Sequence, residues 1–127
     1  MSIIKFPYIS HKGYLLPIIP VTICDHRVWV YVDSGAIFTI LKTDEAHRLG
    51  IGWQKGQPQM IVVGDGSFIP TYIHDLSVQI GEWQMTVPIG FSERLGVGFN
   101  ILGRRGIFDQ FQVCFNDHSR EVSFQKL

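Results

Sequence analysis

The sequence is poor in charged residues and carries no excess of either sign. Charged residues make up 17% of the 127-residue chain, against roughly 25% in an average soluble domain. We therefore expect a partner to cover part of the surface. The formal net charge is zero, whereas proteins that bind nucleic-acid backbones normally carry a basic excess. Nucleic acid is therefore not an expected partner.

Signals for export or membrane insertion are also missing. The first residues, Met1 to Pro7, lack the sustained apolar run, ending in small residues, of a signal peptide. No apolar stretch reaches the roughly 18–20 residues that span a bilayer. We therefore expect a cytoplasmic protein with no membrane association, or a domain cut from a longer chain.

No motif for a metal or a cofactor is present. Cys24 and Cys114 are far apart and are expected to be reduced thiols, and the histidines lack ligand spacing. Gly64-Asp65-Gly66 is not followed by the Gly-Lys-Ser/Thr of a phosphate loop. Gly96-Val97-Gly98 lacks the third glycine of a dinucleotide site. The sequence therefore predicts no metal and no cofactor.

The patterns that are present are mostly those of strands. Two short helices are predicted: Glu45 to Leu49, capped by Thr43 or Asp44 and ended by Gly50, and Arg104 to Phe111. Predicted strands cover 15–23, 28–32, 36–41, 60–63, 68–73, 76–80, 83–87, 113–115 and 121–124. The run 28–32 is wholly apolar, which favours a strand buried on both faces. We predict a single domain, 1–127, forming a small mostly β barrel or sandwich.

A glycine-rich turn separates two of these strands. Gly64-Asp65-Gly66-Ser67 lies between apolar runs that end at Val63 and begin at Phe68. Asp-Gly readily supplies the positive φ angles of a tight turn, so the segment predicts a hairpin.

Asp33 lies in Val30-Tyr31-Val32-Asp33-Ser34-Gly35-Ala36, where an apolar strand stops. Asp-Ser-Gly alone is a common turn. Here another apolar run follows, so we expect the carboxylate at an apolar interior rather than in a solvated loop. About seventy residues later, Ile101-Leu102-Gly103-Arg104 opens the second predicted helix. The two motifs in this order, with a glycine-tipped hairpin between them, form a specific signal.

Together these motifs resemble the retropepsin-like aspartic protease family, from about Pro17 to Phe124. The match around Asp33 continues through Thr39-Ile40-Leu41 to Leu49-Gly50-Ile51. The resemblance implies a closed-barrel-like retropepsin fold, active as a two-fold homodimer. It also implies an aspartic endopeptidase whose substrate is an extended peptide or protein.

Within this family the chemistry uses two carboxylates that share one proton over a water molecule. The resemblance makes Asp33 the catalytic carboxylate. The chain has only one Asp-Ser/Thr-Gly triplet, so a second copy must supply the other carboxylate. A two-fold homodimer does so because residues near its axis meet their own copies.

The resemblance also assigns supporting roles around Asp33. Ser34 ties the two active-site loops together across the dimer axis, and Gly35 and Ala36 are small because the loops approach closely. Ile101, Leu102 and Gly103 pack beneath the catalytic loop, and Arg104 follows them. The flap that closes over a bound peptide is formed by Val63, Gly64, Asp65, Gly66, Ser67 and Phe68.

One segment departs from the family pattern. Arg105 follows Arg104 where many members carry Asp or Asn. Ile37 and Phe38 stand where viral relatives place an aspartate that pairs with the first arginine. We therefore expect differently tied dimer contacts and a hydrophobic cleft near the catalytic loop. The alternative function is a catalytically silent module of the same fold, used for dimerisation or peptide binding.

Overall fold

The computed structural model describes residues 2–95 and 98–127, and strands dominate it. Gly96 and Val97, from the rejected dinucleotide motif, lie outside the described residues. Besides the strands there are a short helix, α1 (Thr43–Leu49), and one 3-10 turn (Trp53–Lys55). The strands are β1 (Ile3–Pro7), β2 (Ile9–His11), β3 (Tyr14–Leu16), β4 (Ile18–Ile23), β5 (His26–Val32), β6 (Thr39–Lys42), β7 (Gln57–Val62), β8 (Phe68–Ile80), β9 (Trp83–Ser92), β10 (Asn100–Leu102), β11 (Phe111–Asn116) and β12 (Glu121–Lys126).

Seven strands form a sheet that closes on itself. Their order is β4-β5-β10-β6-β9-β8-β7, and β4 also pairs with β8. Closure through β4 and β8 leaves β7 as the edge strand of this sheet, and the apolar side chains that point inward fill the interior. The fully buried side chains include Ile19, Val30, Leu41, Ile89 and Phe91. This architecture confirms the predicted mostly β, barrel-like fold with one or two short helices.

Strand β10 brings the two sequence motifs together. It lies between β5 and β6 and runs parallel to β5, with Leu102 paired to Val32. Parallel neighbours end at the same edge of a sheet. The residues that follow them, Asp33 and Gly103, therefore lie side by side despite their distance in sequence.

A separate three-stranded sheet, β1-β12-β11, joins the two ends of the chain. Strand β12 is central, and it packs Val122 and Phe124 into the core. Strand β11 pairs with β12 on one side, and its other edge has no strand partner within the described residues. A short β2-β3 hairpin forms the third sheet.

Four strand predictions need correction, and the simplest is that the strand expected over 36–41 begins only at Thr39. The strand expected over 15–23 is divided at Pro17 into β3 and β4, because proline has no N–H for the ladder. The strands expected at 68–73 and 76–80 are one strand, β8, which pairs first with β7 and then with β9. Strand β5 is buried on one face only, since Trp29 on its other face is 45% exposed.

The helix predicted from Arg104 to Phe111 is wrong as a continuous helix. The segment forms consecutive turns, and Phe111 already belongs to β11. Gly106 has a φ of 77°, a left-handed conformation that an α-helix cannot contain. The predicted apolar face persists, because Ile107 and Phe111 are buried and Phe108 packs against the core.

The first predicted helix is present and ends at Gly50, whose φ of 73° gives the left-handed C-cap. Its N-cap is Lys42 rather than Thr43 or Asp44, and no side chain caps it. Within residues 2–95 and 98–127, no helix combines the length and the apolar character needed to cross a membrane.

Candidate active site

Asp33 sits in a turn that its own neighbours hold in place. Its N–H donates to the carbonyl of Leu102 at 3.0 Å, and its carbonyl accepts from the N–H of Ala36 at 3.2 Å. Its Oδ1 accepts a hydrogen bond from the N–H of Gly35 at 2.9 Å. In the described part of the chain, Oδ2 accepts no hydrogen bond. One carboxylate oxygen is therefore fixed and the other is free to bind water or a second acid.

The Asp33 carboxylate lies at the edge of a cavity. Asp33 is half-buried, not drawn into an apolar interior as the sequence suggested. It lines a cavity of about 360 Å³ together with Ser34, Leu15, Phe115 and Asp117. The side chains around Asp33 thus leave space that a second molecule can occupy.

Two small residues follow Asp33. A Cβ on Gly35 would lie 3.2 Å from Asp33 Oδ1, which is tighter than ordinary contact. Glycine therefore allows the backbone N–H to reach the carboxylate. Ser34 is exposed, and its hydroxyl makes no hydrogen bond among the described residues. That leaves the hydroxyl without a partner in the described part of the chain, and the contact with a second loop that the family resemblance implies stays a prediction.

The second motif runs directly beside the Asp33 loop. Arg104 and Arg105 donate their backbone N–H groups to the carbonyls of Ala36 and Ile37, at 2.9 and 2.8 Å. A Cβ on Gly103 would overlap the backbone carbonyl of Phe38. Only glycine fits at such a close approach of two backbone segments.

Two supporting residues were missed by the sequence reasoning. Thr39 is 1% exposed, and its Oγ1 accepts a hydrogen bond from the N–H of Gly103 at 3.0 Å. Asn100 is 6% exposed; it donates to the carbonyl of Trp29 at 3.1 Å and accepts from the N–H of Lys42 at 2.9 Å. Asn100 thus connects β5 to β6. Polar residues inside apolar runs were the available signal, because buried polar groups are normally hydrogen-bonded.

The predicted flap residues form the tip of the β7–β8 hairpin. The N–H of Val63 donates to Ser67, and the N–H of Gly66 donates to Val63, both at 2.9 Å. Gly66 alone has a positive φ, 84°, so Asp65 does not adopt the left-handed conformation that the sequence suggested. The pattern is that of a three-residue hairpin loop ending in a glycine bulge.

A carboxylate also holds the turn at the tip of this hairpin. The hydroxyl and the N–H of Ser67 donate to Asp65 Oδ1, at 2.5 and 2.9 Å. Both hydrogen bonds lower the pKa of Asp65 below its usual value, and the bond from the Ser67 hydroxyl has the larger effect. The carboxylate therefore keeps its charge, and the turn keeps its hydrogen bonds, at mildly acidic pH.

A tyrosine–carboxylate pair lies on the wall of the Asp33 cavity. The hydroxyl of Tyr8 donates to Asp117 Oδ1 at 2.8 Å. Burial of the hydroxyl and, to a smaller extent, this hydrogen bond raise the pKa of Tyr8 from 10.0 to about 12. The bond ties the β11–β12 turn to the segment that follows β1.

We expect Tyr8→Phe to lower the free energy of unfolding by about 1.5 kcal/mol, because a hydrogen bond to a charged group is lost. A raised folded-state pKa gives stability that is complete below pH 10 and lost as the pH rises towards 12. The difference between wild type and Tyr8→Phe should therefore shrink over that range. Urea denaturation at pH 8 and pH 11.5 measures it. Tyr14→Phe, which alters an exposed tyrosine without such a bond, is the matched control; a difference that does not change with pH would contradict the assignment.

This barrel, with an Asp-Ser-Gly loop held by a parallel partner strand, defines the class of retropepsin-like acid proteases. A family model described as "Aspartyl protease" matches residues 19–105. The chain belongs to that family. No curated protein sequence matches the chain.

Solved structures agree with the family assignment at the level of the fold. A retropepsin-like aspartic protease from Rickettsia conorii superposes with a TM-score of 0.66 at 16% identity, over 97% of this chain and 90% of that one. An EIAV protease in complex with an inhibitor gives a TM-score of 0.58 at 20% identity, over 76% of this chain and 88% of that one. At these identities the likeness establishes the fold alone.

Proposed function

We propose that the protein is a homodimeric aspartic endopeptidase in which each subunit contributes Asp33. The observation that carries the proposal is the Asp33 carboxylate itself. One of its oxygens is held by the N–H of Gly35, and the other is free at the edge of a cavity. The chain supplies a single Asp-Ser-Gly triplet, so the pair of acids needs two copies.

The chemistry follows from two such carboxylates that share one proton. The ionised carboxylate takes a proton from a water molecule, whose oxygen then bonds to the scissile carbonyl carbon. The protonated carboxyl donates its proton to the carbonyl oxygen. Collapse of the resulting diol breaks the C–N bond, and a proton returns to the leaving amine. Backbone N–H groups of Gly35 and its counterpart would keep the acids oriented through this sequence.

The flap proposal assigns the hairpin tip from Val63 to Phe68 to substrate closure. Its single positive-φ glycine and its exposed position permit movement. An extended peptide between the flap and the catalytic loops would be held by backbone hydrogen bonds, with alternate side chains entering pockets. Closure would exclude water from the cleft.

We place the dimer contact at the free edge of β11. Free edges are usually protected by charge or proline, as at β1 with Lys5 and Pro7 and at β7 with Pro58. None of the six residues of β11 is charged or proline. Its Phe115 is 39% exposed and lines the Asp33 cavity. Pairing of two β11 edges would therefore cover apolar surface beside both catalytic carboxylates.

Cys114 offers a direct test of this contact because it is exposed near the middle of β11. In an antiparallel pair of two β11 strands, opposite residues have Cα atoms roughly 4.5–5.5 Å apart. A short bismaleimide should then convert most of the protein into a covalent dimer, measured by denaturing electrophoresis. Cys114→Ser should remove the product, and Cys24→Ser, in the turn between β4 and β5, should retain it. Cross-linking that needs Cys24, or a monomer throughout the micromolar range in sedimentation, would contradict the interface.

The proposed activity is tested with a diverse library of unlabelled peptides and mass-spectrometric detection of new termini, between pH 4 and pH 7. We expect cleavage that a statine-type inhibitor blocks. Binding of peptides without any new termini would instead favour the catalytically silent module.

A further inference from the structure

The structure contains a second cavity beside the Asp33 loop, and three of the five residues that line it are charged. It has a volume of about 480 Å³ and is lined by Ile37, Arg104, Arg105, Phe108 and Asp109. Two guanidinium groups and one carboxylate give it a net positive charge. The cavity borders the same loop as Asp33, but neither lining includes the other cavity's residues.

Neither guanidinium forms an ion pair with another described residue. Among residues 2–95 and 98–127, the ion pairs are Lys5–Glu121 and Arg48–Glu45. No side-chain hydrogen bond in that part of the chain involves Arg104 or Arg105. Asp109 lines the same cavity without pairing with either. Five N–H donors on each guanidinium are thus available to a ligand.

Arg105 is the better positioned of the two arginines. Its backbone N–H is fixed to the carbonyl of Ile37 at 2.8 Å. Its guanidinium carbon lies 5.0 Å from the centroid of the Phe38 ring, and Phe38 is buried. Stacking occupies one face of the guanidinium and orients it, while the N–H edges stay free for bidentate contact with a carboxylate.

The cavity is within reach of a peptide bound at Asp33. The hydrogen bond from Ala36 to Asp33 closes a turn, and such a turn keeps its end Cα atoms within about 7 Å. One further residue, about 3.8 Å along the chain, reaches Ile37. An extended peptide advances roughly 3.3 Å per residue. The separation between Asp33 and Ile37 therefore corresponds to the spacing between the scissile bond and a residue two to four positions away.

We propose that Arg105 is a specificity-determining residue that selects an acidic substrate side chain two to four positions from the scissile bond. The proposal rests on the proposed peptidase function. Ile37 and Phe108 contact the methylene groups of the acidic side chain, and the Arg105 guanidinium binds its carboxylate. Arg104 adds a second positive charge. The partner recognised is thus a Glu- or Asp-containing peptide segment rather than a purely apolar one.

The test uses peptide pairs that differ only by Glu or Gln at each position two to four residues on either side of a cleaved bond. At one position, wild type should cleave the Glu peptide with a kcat/KM at least about 10-fold higher, the effect of one charge-assisted contact. The ratio of kcat/KM for the Glu peptide to that for the Gln peptide should fall towards one at high salt, because salt screens the charge contact. Arg105→Gln should reduce the ratio to about one, and Arg105→Glu should favour a Lys peptide.

Arg27→Glu is the matched control. It makes the same charge change six strand residues before Asp33, about 20 Å away at the strand rise, so its Glu-to-Gln ratio should equal that of wild type. A ratio near one in wild type at every position would overturn the inference. So would an Arg105→Gln variant that remains a dimer in sedimentation and keeps the wild-type ratio, since Arg105 would then not contact the acidic side chain.

Failure of the inference can be told apart from failure of the proposed function. If wild type cleaves both peptides equally, the peptidase stands and the acidic preference is wrong. If it cleaves neither, calorimetric binding of the same pairs to the Asp33→Asn dimer still measures the preference without turnover. Equal affinities for the Glu and Gln peptides in that measurement would also overturn the role of Arg105.

Discussion

Asp33→Asn should abolish peptide cleavage while leaving the barrel folded. An amide can neither take a proton from water nor share one with the opposite acid, so kcat should fall by about 10⁴-fold, the upper end of what positioned acid–base groups contribute. The amide oxygen can still accept the hydrogen bond from Gly35, and Asn matches Asp in shape. Circular dichroism and the unfolding midpoint should therefore stay close to those of wild type.

Asp25→Asn is the control for this substitution. It makes the same chemical change in the turn between β4 and β5, where Asp25 has a φ of 67° that Asn tolerates well. Its activity should equal that of wild type. Unchanged cleavage by purified Asp33→Asn would rule out the proposed mechanism. Peptide binding by wild type with no cleavage would leave the silent module as the function.

Mixing wild type with Asp33→Asn separates a shared site from two independent ones. After subunits exchange at equal amounts, about one quarter of random dimers carry two Asp33 residues and about half carry one. If catalysis needs both acids, activity should fall to about one quarter of that of undiluted wild type at the same total concentration. Activity near one half would mean that each subunit acts alone.

Gly103→Ala should produce the largest loss of stability among the substitutions considered. The added methyl group would overlap the carbonyl of Phe38 and lie 2.8 Å from the backbone nitrogen of Thr39. Backbone atoms cannot rotate away as a side chain can, so the two segments must separate. We expect the free energy of unfolding to fall by about 3 kcal/mol, with activity lost as the Asp33 loop shifts. Chemical denaturation with intrinsic tryptophan fluorescence measures the change.

Gly64→Ala provides the matched glycine control. A Cβ at Gly64 meets nothing within 4 Å, and its φ is not positive. Stability should change by less than about 1 kcal/mol, and a small gain is expected because alanine restricts the unfolded chain. Equal stability of Gly103→Ala and wild type would show that the two motifs do not pack as closely as described.

The elements set by local signals were predictable from the sequence. The hairpin tip from Val63 to Ser67 and the helix stop at Gly50 follow from glycine and turn chemistry within a few residues. The resemblance to the family around Asp33 rests on an apolar strand that ends at the Asp-Ser-Gly turn. These features depend on neighbours in sequence, and such neighbours are visible without coordinates.

The sequence-based predictions were wrong where a single residue overrides the apolar pattern around it. They were incomplete where a side chain bonds to residues far away in the sequence. The apolar face of residues 104–111 favoured a helix, but Gly106 adopts a left-handed conformation that a continuous helix cannot contain. The apolar run through Trp29 favoured two buried faces, yet the barrel covers only one. Thr39 and Asn100 could not be assigned because their partners lie about sixty to seventy residues away.

The sequence by itself determined the family, the β-rich composition of the fold and the single Asp-Ser-Gly triplet, because these depend on residue types in a local order. Tertiary structure alone decided that Asp33 and Gly103 are neighbours, through the parallel pairing of β5 and β10. It also decided that, in the described part of the chain, β11 lies at a sheet edge without a second strand partner and Arg105 lines a cavity without forming an ion pair. Strand pairing and unpaired charge are properties of segments far apart along the chain, so packing alone brings them together.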